Sequence, residues 1–91
     1  MSAPAGRRVT IVNKRGLHAR AAARFARLAE TFAAEVTVTG NGLTVPGRSI
    51  MGLMMLAAGP GTAIEITARG DDGAAALDAL TALVEDGFEE E

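Results

Sequence analysis

Residues 13–26, NKRGLHARAAARFA, hold the side chains that are best placed to do chemistry. His18 is the only histidine of the chain; it stands just after Gly16, where an alanine-rich helix is predicted to begin, and Arg20 follows two residues later. Histidine is not a favoured N-cap, so helix propensity does not explain its position. The free N–H groups and the positive end of a helix bind anions, and Arg20 adds a bidentate donor to such a site.

An imidazole beside an anion site is suited to one kind of chemistry in particular. The helix end disfavours a positive charge on the ring, which keeps a nitrogen lone pair available for attack at neutral pH. Such a nucleophile can accept a phosphoryl group. The sequence offers no matching base or carboxylate pair for hydrolysis. A transient phosphohistidine at His18 therefore explains the pattern better than a complete active site, although a lone histidine is most often a capping or packing residue.

The length and composition exclude several classes of protein. The 91 residues are predicted to form one domain, residues 1–91, with frayed termini at 1–6 and 88–91. Without cysteine the chain has no disulfide or thiolate–metal site, and a single histidine argues against structural zinc. No apolar stretch approaches the ~20 residues that span a bilayer, and the N-terminus lacks a signal-peptide apolar region. We expect a monomeric, cytoplasmic protein that needs no metal or cofactor.

The charge is divided between the two halves of the chain. Residues 1–48 carry eight Arg or Lys and two Glu, whereas residues 49–91 carry one Arg and nine acidic residues. A basic half can bind a phosphodiester, an acidic protein or a phosphate monoester. Three Phe and no Trp or Tyr offer few stacking platforms, which argues against a small nucleic-acid-binding module. Arg24 and Arg27 fit a partner-binding surface and a solvated helix face equally well.

Hydrophobic periodicity predicts the elements that position these residues. Alternating apolar residues predict four strands, at residues 7–13, 35–40, 43–47 and 62–70, with Asn41-Gly42 as a hairpin turn. Apolar residues at helical spacing predict three helices, at residues 18–33, 48–59 and 71–87. Strands with one apolar face need cover on one side only. We therefore expect an α+β open-faced sandwich in the order β-α-β-β-α-β-α, with a four-stranded antiparallel sheet covered on one face by three helices.

The second predicted helix is short and rich in methionine. Ser49 is placed to cap it through its side-chain oxygen. A methionine-rich run is most often core, but a helix this short cannot bury all its apolar residues on one side. We expect the exposed members of Met51, Met54 and Met55 to form an adaptable docking patch beside His18.

Two segments resemble a known family. NKRGLHAR before a helix, and RSIMGLMMLAAGPGTAIEI some thirty residues on, are similar to HPr, the histidine-containing phosphocarrier of the phosphoenolpyruvate-dependent phosphotransferase system. The resemblance spans nearly the whole chain. It implies that His18 takes a phosphoryl group on Nδ1 from phosphorylated enzyme I and passes it to a IIA-type protein, while Arg20 stabilises the phosphate. It also implies that Ser49 is the regulatory site of an ATP-dependent HPr kinase/phosphorylase.

One residue departs from the family pattern. Proline usually follows H-A-R, and Ala21 stands there instead. Proline stiffens a first helical turn and removes one N–H; Ala21 restores that N–H, so we expect phosphate binding to survive in a looser turn. The resemblance implies a non-enzymatic carrier that serves sugar transport. A regulatory paralogue, concerned with nitrogen or carbon control and not with sugar transport, is the nearest alternative.

Overall fold

The computed structural model describes residues 5–90, and its elements follow the predicted order. The strands are β1 (Ala5–Thr10), β2 (Glu35–Gly40), β3 (Leu43–Pro46) and β4 (Ala63–Arg69). The helices are α1 (Ala19–Glu30), α2 (Ile50–Met55) and α3 (Gly73–Glu85), and a short terminal turn, Gly87–Glu89, follows α3. The four strands and three helices that periodicity predicts are all present, and the α+β open-faced sandwich is confirmed.

The four strands form one antiparallel sheet in the order β1-β4-β2-β3. β4 therefore lies at the centre, paired with β1 on one side and β2 on the other. Val38 and Ile66 lie opposite each other and are fully buried on the covered face. Thr37 and Thr67 are hydrogen-bonded to each other and partly exposed. The alternation in the sequence thus separates a core face from a solvated face.

The helices close the core over that one face. The buried face of α1 consists of four alanines and one phenylalanine: Ala21, Ala22, Phe25, Ala26 and Ala29. α3 contributes Leu77, Leu80 and Val84, as its periodicity predicts. Small side chains along α1 let its backbone lie close to its neighbours, and the larger side chains of α3 and the sheet fill the remaining space.

The turn between β2 and β3 has the geometry that its sequence predicts. Asn41 and Gly42 both have positive φ, 50° and 80°, as the two central residues of a type I′ hairpin turn do. The Asn41 side-chain amide also donates to the carbonyl of Leu56 at 2.8 Å, which ties the hairpin to the end of α2. β3 ends at Pro46 and lies at the edge of the sheet. Proline has no backbone N–H, and at an edge strand this lack costs the sheet no hydrogen bond.

Asp72, which directly precedes α3, binds a neighbouring segment through its side chain and does not cap the helix with it. Asp72 is the N-cap residue, but its side chain makes no capping hydrogen bond. Its two carboxylate oxygens accept hydrogen bonds from the backbone N–H groups of Ala33 and Ala34, each at 2.8 Å. Asp72 therefore fastens the start of α3 to the segment that leads into β2, since a carboxylate holds two N–H donors more strongly than a neutral acceptor would.

Several residues near the chain ends, where the sequence predicts fraying, have secondary structure. Residues 1–4 and 91 of the predicted frayed termini lie outside the described residues. Residues 5 and 6 belong to β1, where Gly6 pairs with Thr67 of β4. Residues 88–90 form the terminal turn and the residue after it, and the Phe88 side chain is fully buried. In this conformation the buried aromatic ring packs the C-terminal end against the domain, and fraying of these residues stays a prediction.

Candidate functional site

His18 occupies the N-cap position of α1, as the sequence predicts. Its backbone is extended (φ −77°, ψ −179°), and its side chain is 22% exposed. The loop before it is fixed by hydrogen bonds from Gly16 N to Asn13 O at 3.1 Å and from Leu17 N to Ala58 O at 2.9 Å. Gly16 has φ +63°, and a Cβ there would lie 2.4 Å from the Ala58 carbonyl oxygen, so glycine is required at this turn.

The first turn of α1 keeps its N–H groups available beside the ring. The His18 side chain makes no capping hydrogen bond, and no acidic residue lies in the first turn. The first intrahelical hydrogen bond, from Ala22 N to His18 O, is 2.8 Å long, so the turn closes with Ala21 in place of proline. The N–H groups that precede it have no intrahelical acceptor, and together with the helix dipole they favour an anion next to the imidazole.

A carboxylate from the other end of the chain engages the imidazole. Glu90 Oε2 is hydrogen-bonded to Nε2 of His18, and Glu90 Oε1 accepts from the Asn13 side-chain amide at 2.9 Å. The same Asn13 amide also donates to Gly16 O at 2.9 Å, so Asn13 joins the loop to the tail. Hydrogen bonds from Asn13 and then His18 lower the pKa of Glu90, against the opposing effect of partial burial. Glu90 is therefore ionised at neutral pH.

The predicted basic residues of α1 are separated along the helix. Arg24 donates through Nη1 to the carbonyl of Phe88, so its guanidinium holds the tail. Arg20 is exposed and lines an open cleft of about 840 Å³ that the tail borders on its other side. Arg27 is exposed in the last turn, away from His18. Of the three arginines, Arg20 and Arg24 face the cleft between α1 and the tail, and Arg27 does not line it.

Helix α2 presents the apolar surface that its length and composition predict. Ser49 Oγ accepts from Gly52 N at 2.9 Å and so caps the helix. Leu53 is buried, whereas Met51, Met55 and Met54 are 73%, 68% and 40% exposed. These three methionines, with the exposed Ile50, are called the methionine patch below.

Two contacts show how α2 lies beside α1. Leu17, just before His18, is hydrogen-bonded to Ala58, just after α2, as described above. At the other end, Arg48 Nη2 donates at 2.8 Å to the carbonyl of Phe32, which follows α1. The two helices therefore run in opposite directions. The end of α2 lies near His18, and Ser49 lies toward the C-terminal end of α1.

Sequence reasoning missed two residues of this site, Asn13 and Glu90. Both contact His18 or its loop only because the chain end folds back, and the tail had been predicted to fray. A usable signal was present: Phe88 is one of only three Phe residues, and an aromatic residue just after a helix-terminating glycine indicates a segment that packs. Within residues 5–90, no group of three His, Cys, Asp or Glu side chains lies together as a metal site would require, and no helix is long and apolar enough to cross a membrane.

Comparison with known proteins agrees with the sequence motifs. Residues 5–86 match the family described as the PTS HPr component phosphorylation site. The chain is 52% identical over 82 residues to the phosphocarrier protein HPr of Neisseria meningitidis serogroup A. The aligned segment covers 90% of this chain and 92% of the relative. It is 48% identical over 84 residues to the phosphocarrier protein NPr of Shewanella violacea, covering 92% of each. The crystal structure of HPr from Thermoanaerobacter tengcongensis superposes with a TM-score of 0.90 at 39% identity, covering 96% of this chain and 98% of that one.

Proposed function

Because the chain belongs to the HPr family of phosphocarriers of the phosphotransferase system, we propose that His18 is its phosphoryl acceptor. Phosphorylated enzyme I is the donor, and a IIA-type protein is the next acceptor. The observation that carries this proposal is the position of His18: its imidazole lies at the N-terminus of α1, and its hydrogen bond to Glu90 uses Nε2 and leaves Nδ1 for the reaction.

The transfer itself needs one nucleophile and one anion site. The Nδ1 lone pair attacks the phosphorus atom held on a nitrogen of the donor; the new N–P bond forms as the donor's P–N bond breaks, and that electron pair returns to the donor. The phosphoryl oxygens then lie by the first-turn N–H groups of α1, within reach of Arg20. Passage to the IIA-type protein is the same step with His18 as donor.

The direct test is chemical. The protein is incubated with enzyme I and labelled phosphoenolpyruvate, and the label is tested for acid lability. We expect one phosphoryl group per chain, lost in acid and stable in alkali, as a phosphohistidine is. An acid-stable label, or none with active enzyme I, would contradict the proposal.

Arg20 is proposed to stabilise the phosphoryl group in transit. Replacing Arg20 with lysine keeps the charge but removes the planar fork that binds two phosphate oxygens. Since hydrogen bonds to charged groups contribute about 1.5–3 kcal/mol, we expect kcat/KM for transfer from enzyme I to fall about tenfold. The matched control is Arg69→Lys, an exposed arginine at the end of β4. Equal rates for Arg20→Lys and wild type would remove Arg20 from the site.

The methionine patch is proposed to be the docking surface for the partner proteins. Met51→Glu places a charge on a side chain that is 73% exposed. We expect the KM for enzyme I to rise about tenfold or more, while the free energy of unfolding changes by about 0.5 kcal/mol or less. Ala74→Glu adds the same charge to an exposed position of α3 and serves as the control. A KM for enzyme I equal to that of the wild type would remove Met51 from the docking surface.

A regulatory paralogue is the second candidate, because one of the similar relatives carries the name NPr. The two functions differ in the protein that receives the phosphoryl group. Offering the phosphorylated protein to purified IIA domains of the sugar-transporting and of the regulatory kind, and comparing kcat/KM for each, distinguishes them.

A further inference from the structure

We propose that Glu90 is a positioning residue for the transfer: it holds the His18 ring with the proton on Nε2 and the lone pair on Nδ1. This inference rests on the proposed role of His18 and adds to it the residue that selects the reactive nitrogen. The tail of this chain supplies Glu90, which lies 72 residues from His18 in the sequence.

The hydrogen-bonding capacity of the two groups sets the tautomer. A neutral imidazole carries its proton on one nitrogen and a lone pair on the other, and the hydrogen bond that one nitrogen makes decides which is which. Glu90 Oε2 faces Nε2. An ionised carboxylate has no proton to donate, so the nitrogen that faces it must carry the hydrogen. The lone pair is then on Nδ1.

The charge of Glu90 is fixed by its surroundings. Asn13 donates to Oε1, and this hydrogen bond, together with His18 and the positive charge of Arg15, lowers the pKa of the Glu90 carboxyl. If the Glu90 carboxyl group were protonated, its own hydrogen would have to share the site with the N–H groups of Asn13 and His18. The carboxylate form is thus the one that the site binds.

The tail is held in place by more than this hydrogen bond. Phe88 is fully buried and Arg24 donates to its carbonyl, so the residue two positions before Glu90 is anchored at both its side chain and its backbone. Gly87, Phe88 and Glu89 all have positive φ (69°, 59° and 64°), a conformation that costs free energy at a residue other than glycine. Burial of Phe88 and the contacts of Glu90 offset that cost.

The contact gains strength as the reaction proceeds. When the Nδ1 lone pair forms the bond to phosphorus and Nε2 keeps its proton, the ring acquires positive charge. Glu90 lies against the nitrogen that bears the proton. The negative carboxylate therefore stabilises the positively charged ring of the transition state more than it stabilises the neutral ring before the reaction. An interaction that strengthens in this way lowers the activation free energy of phosphoryl transfer, and its loss is expected to lower kcat.

The test is Glu90→Gln, with Glu89→Gln as the matched control. Glutamine has the size of glutamate, but its amide can accept from Nε2–H or donate to a bare Nε2, so it no longer selects one tautomer. Glu89 is the exposed neighbour and loses the same charge. The nitrogen-15 shifts of the His18 ring, measured at a pH where the ring is neutral, report the tautomer directly, and single-turnover transfer from phosphorylated enzyme I reports the rate.

We expect the wild type and Glu89→Gln to show the Nε2–H tautomer, and Glu90→Gln to show a mixture with kcat reduced about tenfold to a hundredfold and KM unchanged. An unchanged tautomer in Glu90→Gln overturns the proposal, whatever the rate, and so does faster transfer, which would make the tail a barrier to the donor. The tautomer is read without any partner, so a failure of phosphorylation in the wild type would contradict the proposed function separately.

Discussion

Replacing His18 with alanine is expected to abolish acid-labile phosphorylation while the protein remains folded. The chain has one histidine, so no other imidazole can take over the phosphoryl group. The imidazole makes no capping hydrogen bond and is partly exposed, so its removal leaves no large cavity. We expect the free energy of unfolding to change by about 1 kcal/mol or less, chiefly from loss of the contact with Glu90. The label and the thermal unfolding curve are measured on the same preparation.

The control for this experiment is Glu89→Gln, which alters the charge of the tail and keeps the imidazole. Acid-labile label on His18→Ala would show that the acceptor lies elsewhere. A variant that loses the label because it has unfolded would be recognised from its circular dichroism spectrum, and His18→Gln, which keeps a polar side chain at the N-cap, would then replace it.

Replacing Ser49 with aspartate is expected to slow phosphorylation of His18 by about tenfold to a hundredfold at low salt without unfolding the protein. Aspartate is a good N-cap, so α2 keeps a side-chain acceptor for Gly52 N. A partner that binds the basic surface of α1 has an acidic surface of its own at the contact. A new negative charge beside the methionine patch repels that acidic surface and weakens binding. Ser49 lies toward the end of α1 remote from His18, so the effect belongs to docking and is expected in KM more than in kcat.

Salt and a neutral variant separate the possible causes of that deficit. Screening weakens repulsion between exposed charges, so the difference between Ser49→Asp and wild type is expected to shrink as the ionic strength rises. Ser49→Ala removes the cap without adding charge; it is expected to lose about 1 kcal/mol of stability and to accept phosphate at the wild-type rate. Equal rates for Ser49→Asp and wild type at low salt would leave Ser49 as a cap alone, and a deficit that salt does not change would indicate steric blocking.

Local patterns predicted most of the fold because each of its elements carries its own signal. Asn41-Gly42 between two alternating segments specifies a hairpin, and Ser49 before an apolar run specifies a helix start, whatever the rest of the chain does. The position of His18 at the start of α1 follows in the same way from the glycine before it and the alanine-rich period after it. These signals lie within a few residues of the feature that they predict.

The tail could not be predicted on the same grounds. Its conformation has positive φ at Phe88 and Glu89, which no local propensity favours, and its contacts join residues more than seventy positions apart. Asp72 shows the same limit on a smaller scale: its sequence position predicts a helix cap, but the carboxylate binds two N–H groups of a segment that only the folded sheet brings near. Such contacts depend on the tertiary fold, and periodicity carries no information about them.

The order of the strands has a consequence for how the protein is made. β1 pairs only with β4, Thr10 opposite Ala63, and β2 also needs β4 as its inner neighbour. While the ribosome is still producing the first sixty residues, only the β2–β3 hairpin and the helices α1 and α2 can form. Closing the long loop between β1 and β4 costs entropy that is recovered only when β4 has been made. The loop that carries His18 is fixed at the same moment, through the hydrogen bonds of Ile11 with Thr62 and Gly61. Glu90 is added later still. A nascent chain that has not yet reached β4 therefore contains His18 before the contacts that fix its loop can form.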